Sequence, residues 1–111
     1  MQKTNELRRK EIISILQRLK SEITNILDEK IEMILFGSYA RGDFSEYSDV
    51  DILILVEKEL NKEENNKLYE IIAEYSLKHD IVISCFIYLR RIFEEYNTPF
   101  LLNIKEEGIR I

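Results

Sequence analysis

Two aspartates two positions apart, Asp49 and Asp51, open an aliphatic run, and ten residues separate them from a Gly-Ser pair, Gly37-Ser38. If the run is a strand, alternation places both carboxylates on one face and Val50, Ile52, Ile54 and Val56 on the other. Two carboxylates that close repel each other, a conflict removed by a cation between them or by protonation of one. A divalent cation is the simpler remedy at neutral pH. A small set of hard oxygen ligands suits Mg2+, which keeps several waters and completes its shell with phosphate oxygens, and a nucleoside triphosphate such as ATP supplies those. Gly37 lets the backbone approach a phosphate closely, while the Ser38 hydroxyl and neighbouring N–H groups donate to it. Arg41 offers a cation for a phosphate, or forms a surface ion pair. Taken singly, a Gly-Ser turn or an Asp-x-Asp strand start is commonplace. Joined at this spacing, they should arise by chance in roughly one chain of this size in five hundred.

The elements that must hold these residues are short. Ile31, Met33, Ile34, Leu35 and Phe36 form an apolar run that stops at Gly37, a buried strand feeding a tight turn. Val50 to Val56 has the β-branched and aliphatic composition of a second buried strand. Ser38 to Arg41 can begin a short helix whose first N–H groups face an anion. Asp43 to Ser48 is a polar loop, in which Tyr39 just before it, Phe44 and Tyr47 are candidates to stack on a base or to pack in the core.

The block Gly37-Ser38, ten residues, Asp49-Val50-Asp51 resembles the signature of the DNA polymerase β-like nucleotidyltransferase superfamily. Ala40-Arg41-Gly42-Asp43, Ser45 and Ser48 further resemble the phrasing of its minimal nucleotidyltransferase (MNT) family, small domains often encoded as antitoxins beside a HEPN-domain toxin. The resemblance implies an α/β (α+β) fold in which a mixed β-sheet is flanked by helices. It also implies triphosphate contacts from Gly37 and Ser38, Mg2+ on Asp49 and Asp51, and nucleotidyl transfer with release of pyrophosphate. Two ions about 3.5 to 4 Å apart would serve such a transfer. The superfamily's third carboxylate lies on a strand beside the Asp-x-Asp strand. Asp80, the acidic residue of an expected strand over residues 80–89, is the candidate for it and for a share of the metal; the alternative is a helix-to-strand turn residue.

The remaining chain supplies the scaffold. Residues 4–28 read as an amphipathic helix with Leu7, Ile12, Leu16, Leu19, Ile23, Ile26 and Leu27 at helical spacing. Its basic end, Arg8-Arg9-Lys10, is a solvated face or an aid to a phosphate-bearing substrate. Residues 57–78 read as a second helix, with Asn61 a plausible N-cap. After Arg90 and Arg91 comes a short helical segment, then Thr98 as a cap, Pro99 at the first position of a last helix, and Gly108 as its stop. His79 is either a proton carrier beside Asp80 or a loop residue at a strand start. Cys85, the one cysteine, allows no internal disulfide and reads as a buried thiol.

At 111 residues the chain, residues 1–111, is expected to form a single domain. A formal net charge of -5 argues against stable binding along a nucleic-acid backbone. No apolar run approaches a membrane span and the first residues lack a signal-peptide core, so a cytoplasmic location is expected. With the resemblance, these features lead to a Mg2+-dependent enzyme that moves AMP from ATP to a hydroxyl of a partner protein, a HEPN toxin being the implied partner, with homo-oligomerisation as a further way to complete the cleft. Two other readings stand beside it. One is a non-catalytic antitoxin that neutralises its partner by covering it. The other is a small-substrate nucleotidyltransferase, although those carry an extra helical domain for which this chain has no residues.

Overall fold

Capping residues and apolar spacing set where each element begins. In the computed structural model, which describes residues 4–111, the chain runs through α1 (Asn5–Leu27), β1 (Glu32–Phe36), α2 (Ser38–Arg41), β2 (Val50–Val56), α3 (Lys62–His79), β3 (Ile83–Leu89), α4 (Arg90–Glu95), α5 (Pro99–Glu107) and β4 (Ile109–Arg110). Thr4 caps α1 through its side chain, and Thr98 caps α5 with Pro99 entering the first turn. The second long helix starts later than its apolar spacing predicts. Asn61 accepts from the Glu64 N–H while Glu64 accepts from the Asn61 N–H, a reciprocal capping box, so residues 57–61 lie outside the helix.

The four strands form one mixed sheet in the order β3-β2-β1-β4. β1 and β2 are antiparallel, and β2 and β3 are parallel, joined by α3 as the crossover that parallel neighbours require. β4 was not anticipated, since two residues carry no periodicity; it pairs with β1 through Ile34–Arg110 and Leu35–Ile109.

The sheet buries both faces. Met33, Leu35, Val50, Ile52, Ile54 and Val56 pack with Ile12, Leu16, Leu19 and Ile23 of α1 and Leu68, Ile71 and Ile72 of α3. On the other side Ile34, Leu53 and Leu55 meet Phe93 of α4 and Leu101 and Ile104 of α5. β2, central and covered on both faces, is therefore an almost unbroken apolar run in which Asp51 is the exception. Cys85 packs against the first of these clusters, and burial pushes its thiol up to about 12. Among the described residues no helix is long and apolar enough to cross a membrane.

Candidate active site

β1 leads directly into the site. Gly37 follows Phe36 with φ 73° and ψ -152°, a conformation that side chains rarely adopt. A Cβ at this position would stand 2.3 Å from Asp51 Oδ2, closer than any real contact allows. Glycine is thus required twice over: for the turn, and for the approach of a carboxylate to the backbone. α2 begins at Ser38 and closes on itself, with the Arg41 N–H donating to Gly37 O at 3.0 Å and the Gly42 N–H to Ser38 O at 2.9 Å. Gly42, at φ 89°, ends it in the left-handed region.

The register of the sheet fixes what surrounds the aspartates. Asp51 sits opposite Phe36 on β1 and beside Ser84 on β3, while Val50, one residue earlier, faces the interior. Asp51 therefore lies on the face of α4 and α5, and Asp49, one residue before β2, is near enough for its charge to act on Asp51. Ser84 donates its hydroxyl hydrogen to Asp49 Oδ2 at 3.4 Å. Burial first, then the neighbouring Asp49 charge, raise the Asp51 carboxyl above its ordinary value, and Arg41 opposes them. Arg41 itself is engaged: its Nε meets Asp43 Oδ2 at 3.2 Å and its Nη1 meets Glu107 Oε2 at 3.4 Å, tying α2 to the end of α5. These two partners raise its own pKa.

This donor set fits a divalent cation. Two neighbouring carboxylates, one of them raised by burial and by the charge of the other, beside a serine hydroxyl, are relieved by positive charge between them, and the remaining positions suit water and phosphate oxygens. Among the described residues there is no cluster of three or more His, Cys, Asp or Glu side chains arranged to hold a metal.

The expected place of Asp80 is corrected. It is not in β3 but terminates α3 at φ 52° and ψ 51°, its N–H donating to Ser76 O, and the strand starts three residues later. A helix closed by a left-handed residue cannot be continued directly as strand, and Asp tolerates that conformation better than most side chains. On the carboxylate face β3 instead carries Ser84 and Phe86, the alternation seeing to the rest. Asp80 lines a separate hollow of about 480 Å³ with Arg8, Tyr47, Ser48, His79 and Val82. His79 is the last residue of α3, its ring 5.7 Å from that of Tyr75, and burial, Lys78 and Arg18 lower its pKa.

The aromatic candidates also sort differently. Tyr39 and Phe44 are core residues stacked on each other at 4.1 Å, and their burial closes both rings to a base. Tyr47 is 88% exposed. Ser84 escaped the sequence reading, because only the β2–β3 register shows which β3 side chains neighbour Asp51.

The sequence profile of the nucleotidyltransferase domain family matches residues 6–111. The Methanocaldococcus jannaschii protein named "Putative protein adenylyltransferase MJ0141" is 44% identical over 102 residues, covering 91% of this chain and 99% of that one. A second M. jannaschii protein of the same description, MJ0604, is 34% identical over 93 residues, or 78% of this chain and 88% of its own. Among solved structures, a Sulfolobus solfataricus protein assigned to the nucleotidyltransferases superposes with a TM-score of 0.60 at 16% identity, covering 99% of this chain and 87% of that one. A toxin–antitoxin crystal structure with AMP-PNP gives 0.57 at 19% identity over 92% of this chain and 70% of that one. The mixed sheet with flanking helices is thus the nucleotidyltransferase fold, and the chain belongs to the nucleotidyltransferase domain family as an enzyme of that kind.

Proposed function

We propose that the chain, acting as one domain, transfers AMP from ATP to a hydroxyl of a partner protein, with Mg2+ held by Asp49 and Asp51. The observation that carries this reading is the seat of Asp51 against Gly37, which brings a carboxylate and a phosphate-binding turn into direct contact. Gly37 and Ser38 bind the triphosphate, and Arg41, already held by Asp43 and Glu107, adds positive charge beside Asp51. Mg2+, when bound, supplies charge neutralisation for the phosphates and the departing pyrophosphate. Asp49 and Asp51 fix where that charge sits, and Ser84 orients Asp49. The acceptor is a hydroxyl of another protein, a reading supported by the protein adenylyltransferase description of the M. jannaschii relatives. Toxin–antitoxin complexes among the structures of this fold, one with AMP-PNP and one of MntA–HpeT, support a toxin as that protein, and the resemblance to the MNT family makes it one of the HEPN kind.

A second reading rests on β3. The position beside Asp51 is taken by the Ser84 hydroxyl rather than by a carboxylate, which favours a protein that binds its partner without modifying it. One assay separates the two: α-labelled ATP, Mg2+ and the co-expressed neighbouring gene product, with wild type, Asp51→Asn and Asp80→Asn. The catalytic reading expects label on the partner from wild type, none from Asp51→Asn, and label retained with Asp80→Asn. A partner neutralised by wild type without taking label would replace catalysis with covering. Loss of transfer in Asp80→Asn alone, with ATP binding intact, would return Asp80 to the machinery.

A further inference from the structure

Beside the carboxylates, on the same face of the sheet, lies an aromatic platform. Phe36 stands directly across from Asp51, and Phe86 lies two residues beyond Ser84 on β3, about 7 Å along the strand. Phe100, from the first turn of α5, closes the group. The rings of Phe36 and Phe86 are 5.9 Å apart, Phe36 and Phe100 meet edge to face at 5.6 Å, and Phe86 and Phe100 are 5.3 Å apart. These are the spacings of aromatic groups that hold one another in place. Yet Phe86 leaves 41% of its surface exposed.

An exposed phenyl ring that its neighbours hold in a fixed orientation, next to a phosphate-binding turn, matches a flat apolar ligand joined to a phosphate. We propose that Phe86, supported by Phe36 and Phe100, is the seat of the nucleotide's base. The inference rests on the reading of Asp49, Asp51 and Gly37-Ser38 as the triphosphate end. A ribose then spans from Asp51 toward Phe86, over Ser84. Stacking on a phenyl ring accepts any base, because every base has a π-face, so the platform contributes affinity rather than a choice between ATP and GTP. Tyr47, the exposed ring on the loop before Asp49, is the rival. It lines the separate hollow with His79 and Asp80, and none of the three rings packs against it.

The test compares Mg-ATP with Mg-tripolyphosphate, which has the same charge-bearing end and no base, by calorimetry on wild type, Phe86→Ala and Tyr47→Ala. Phe86→Ala should weaken ATP by roughly 5- to 100-fold and leave tripolyphosphate unchanged. A second variant guards against a folding artefact: Phe86→Trp gives the chain its only tryptophan, whose fluorescence Mg-ATP should quench and Mg-tripolyphosphate should not. Equal ATP affinity in wild type and Phe86→Ala, with no change in the Phe86→Trp emission, overturns the platform while leaving the triphosphate site standing. Selective loss of ATP in Tyr47→Ala instead moves the base to the hollow and also overturns it. Wild type that binds neither ligand removes the nucleotide reading and the platform together.

Discussion

Asp51 is held in a position that is unfavourable for a charge and useful for a cation. Burial and Asp49 both raise its pKa, so in the folded chain without metal the ionised form is destabilised relative to the unfolded chain. A raised carboxylate opposes folding above its folded pKa, and that opposition disappears as pH falls below the ordinary aspartate value. Asp51→Asn should therefore raise the melting temperature of the metal-free protein at neutral pH, with a gain that shrinks as the pH is lowered through this window. The same variant should lose the stabilisation that Mg2+ with ATP gives to wild type. Differential scanning calorimetry with chelator, and again with both ligands, reads both effects; a variant less stable than wild type in chelator contradicts the charge conflict. Gly37 is the complementary case. Its Cβ would displace the Asp51 carboxylate, so Gly37→Ala should abolish Mg-dependent ATP binding even if the fold survives.

The elements end where local chemistry, more than periodicity, stops them. α3 starts at its capping box, and Asn61→Ala should cost about 1 kcal/mol, within roughly 0.5–2 kcal/mol, in urea unfolding, with no change in ATP affinity because the cap is remote from Asp51. Its other end is closed by Asp80 in the left-handed region. There glycine removes a steric cost, so Asp80→Gly should leave the midpoint unchanged or raise it, by up to about 1 kcal/mol. A large loss on the same urea curve would mean that the Asp80 carboxylate has a structural partner. β3 depends on this closure. The left-handed residue turns the chain so that Ile83 meets Val50, and with that register Ser84 and Phe86 arrive on the carboxylate face.

On the scale of the whole molecule, stability comes from the two packed faces of the sheet. Leu19 of α1 is fully buried in the larger cluster, whereas Leu77 on α3 is 84% exposed. Leu19→Ala should destabilise by about 2–5 kcal/mol, from lost burial plus the cavity left behind. Leu77→Ala should stay within about 0.5 kcal/mol. Chemical denaturation of both variants checks the contrast, and similar losses would indicate that Leu77 is covered by another chain in solution. The C-terminus belongs to this architecture. Lys20 donates to the carbonyl oxygen of Ile111 at 2.8 Å, and β4 adds its two residues to the edge of β1.

The features legible in the order of the residues are local in origin. The Gly37-Ser38 turn, the α2 start at Ser38, the Thr98-Pro99 entry to α5 and the buried β2 run that carries Asp51 all follow from spacings of a few residues, where backbone sterics and alternation act without the rest of the chain. Which side chains from distant segments meet the aspartates is set by long-range packing. No periodicity shows that Ser84 lies beside Asp51, that Phe36, Phe86 and Phe100 gather next to it, or that Arg41 reaches Glu107. Asp80 shows the limit most clearly. A carboxylate at the border of helix and strand has two available conformations, and the choice was made by closure of α3 and by the pairing of Val50 with Ile83, a contact between segments more than thirty residues apart in which strand register, not composition, sets the outcome.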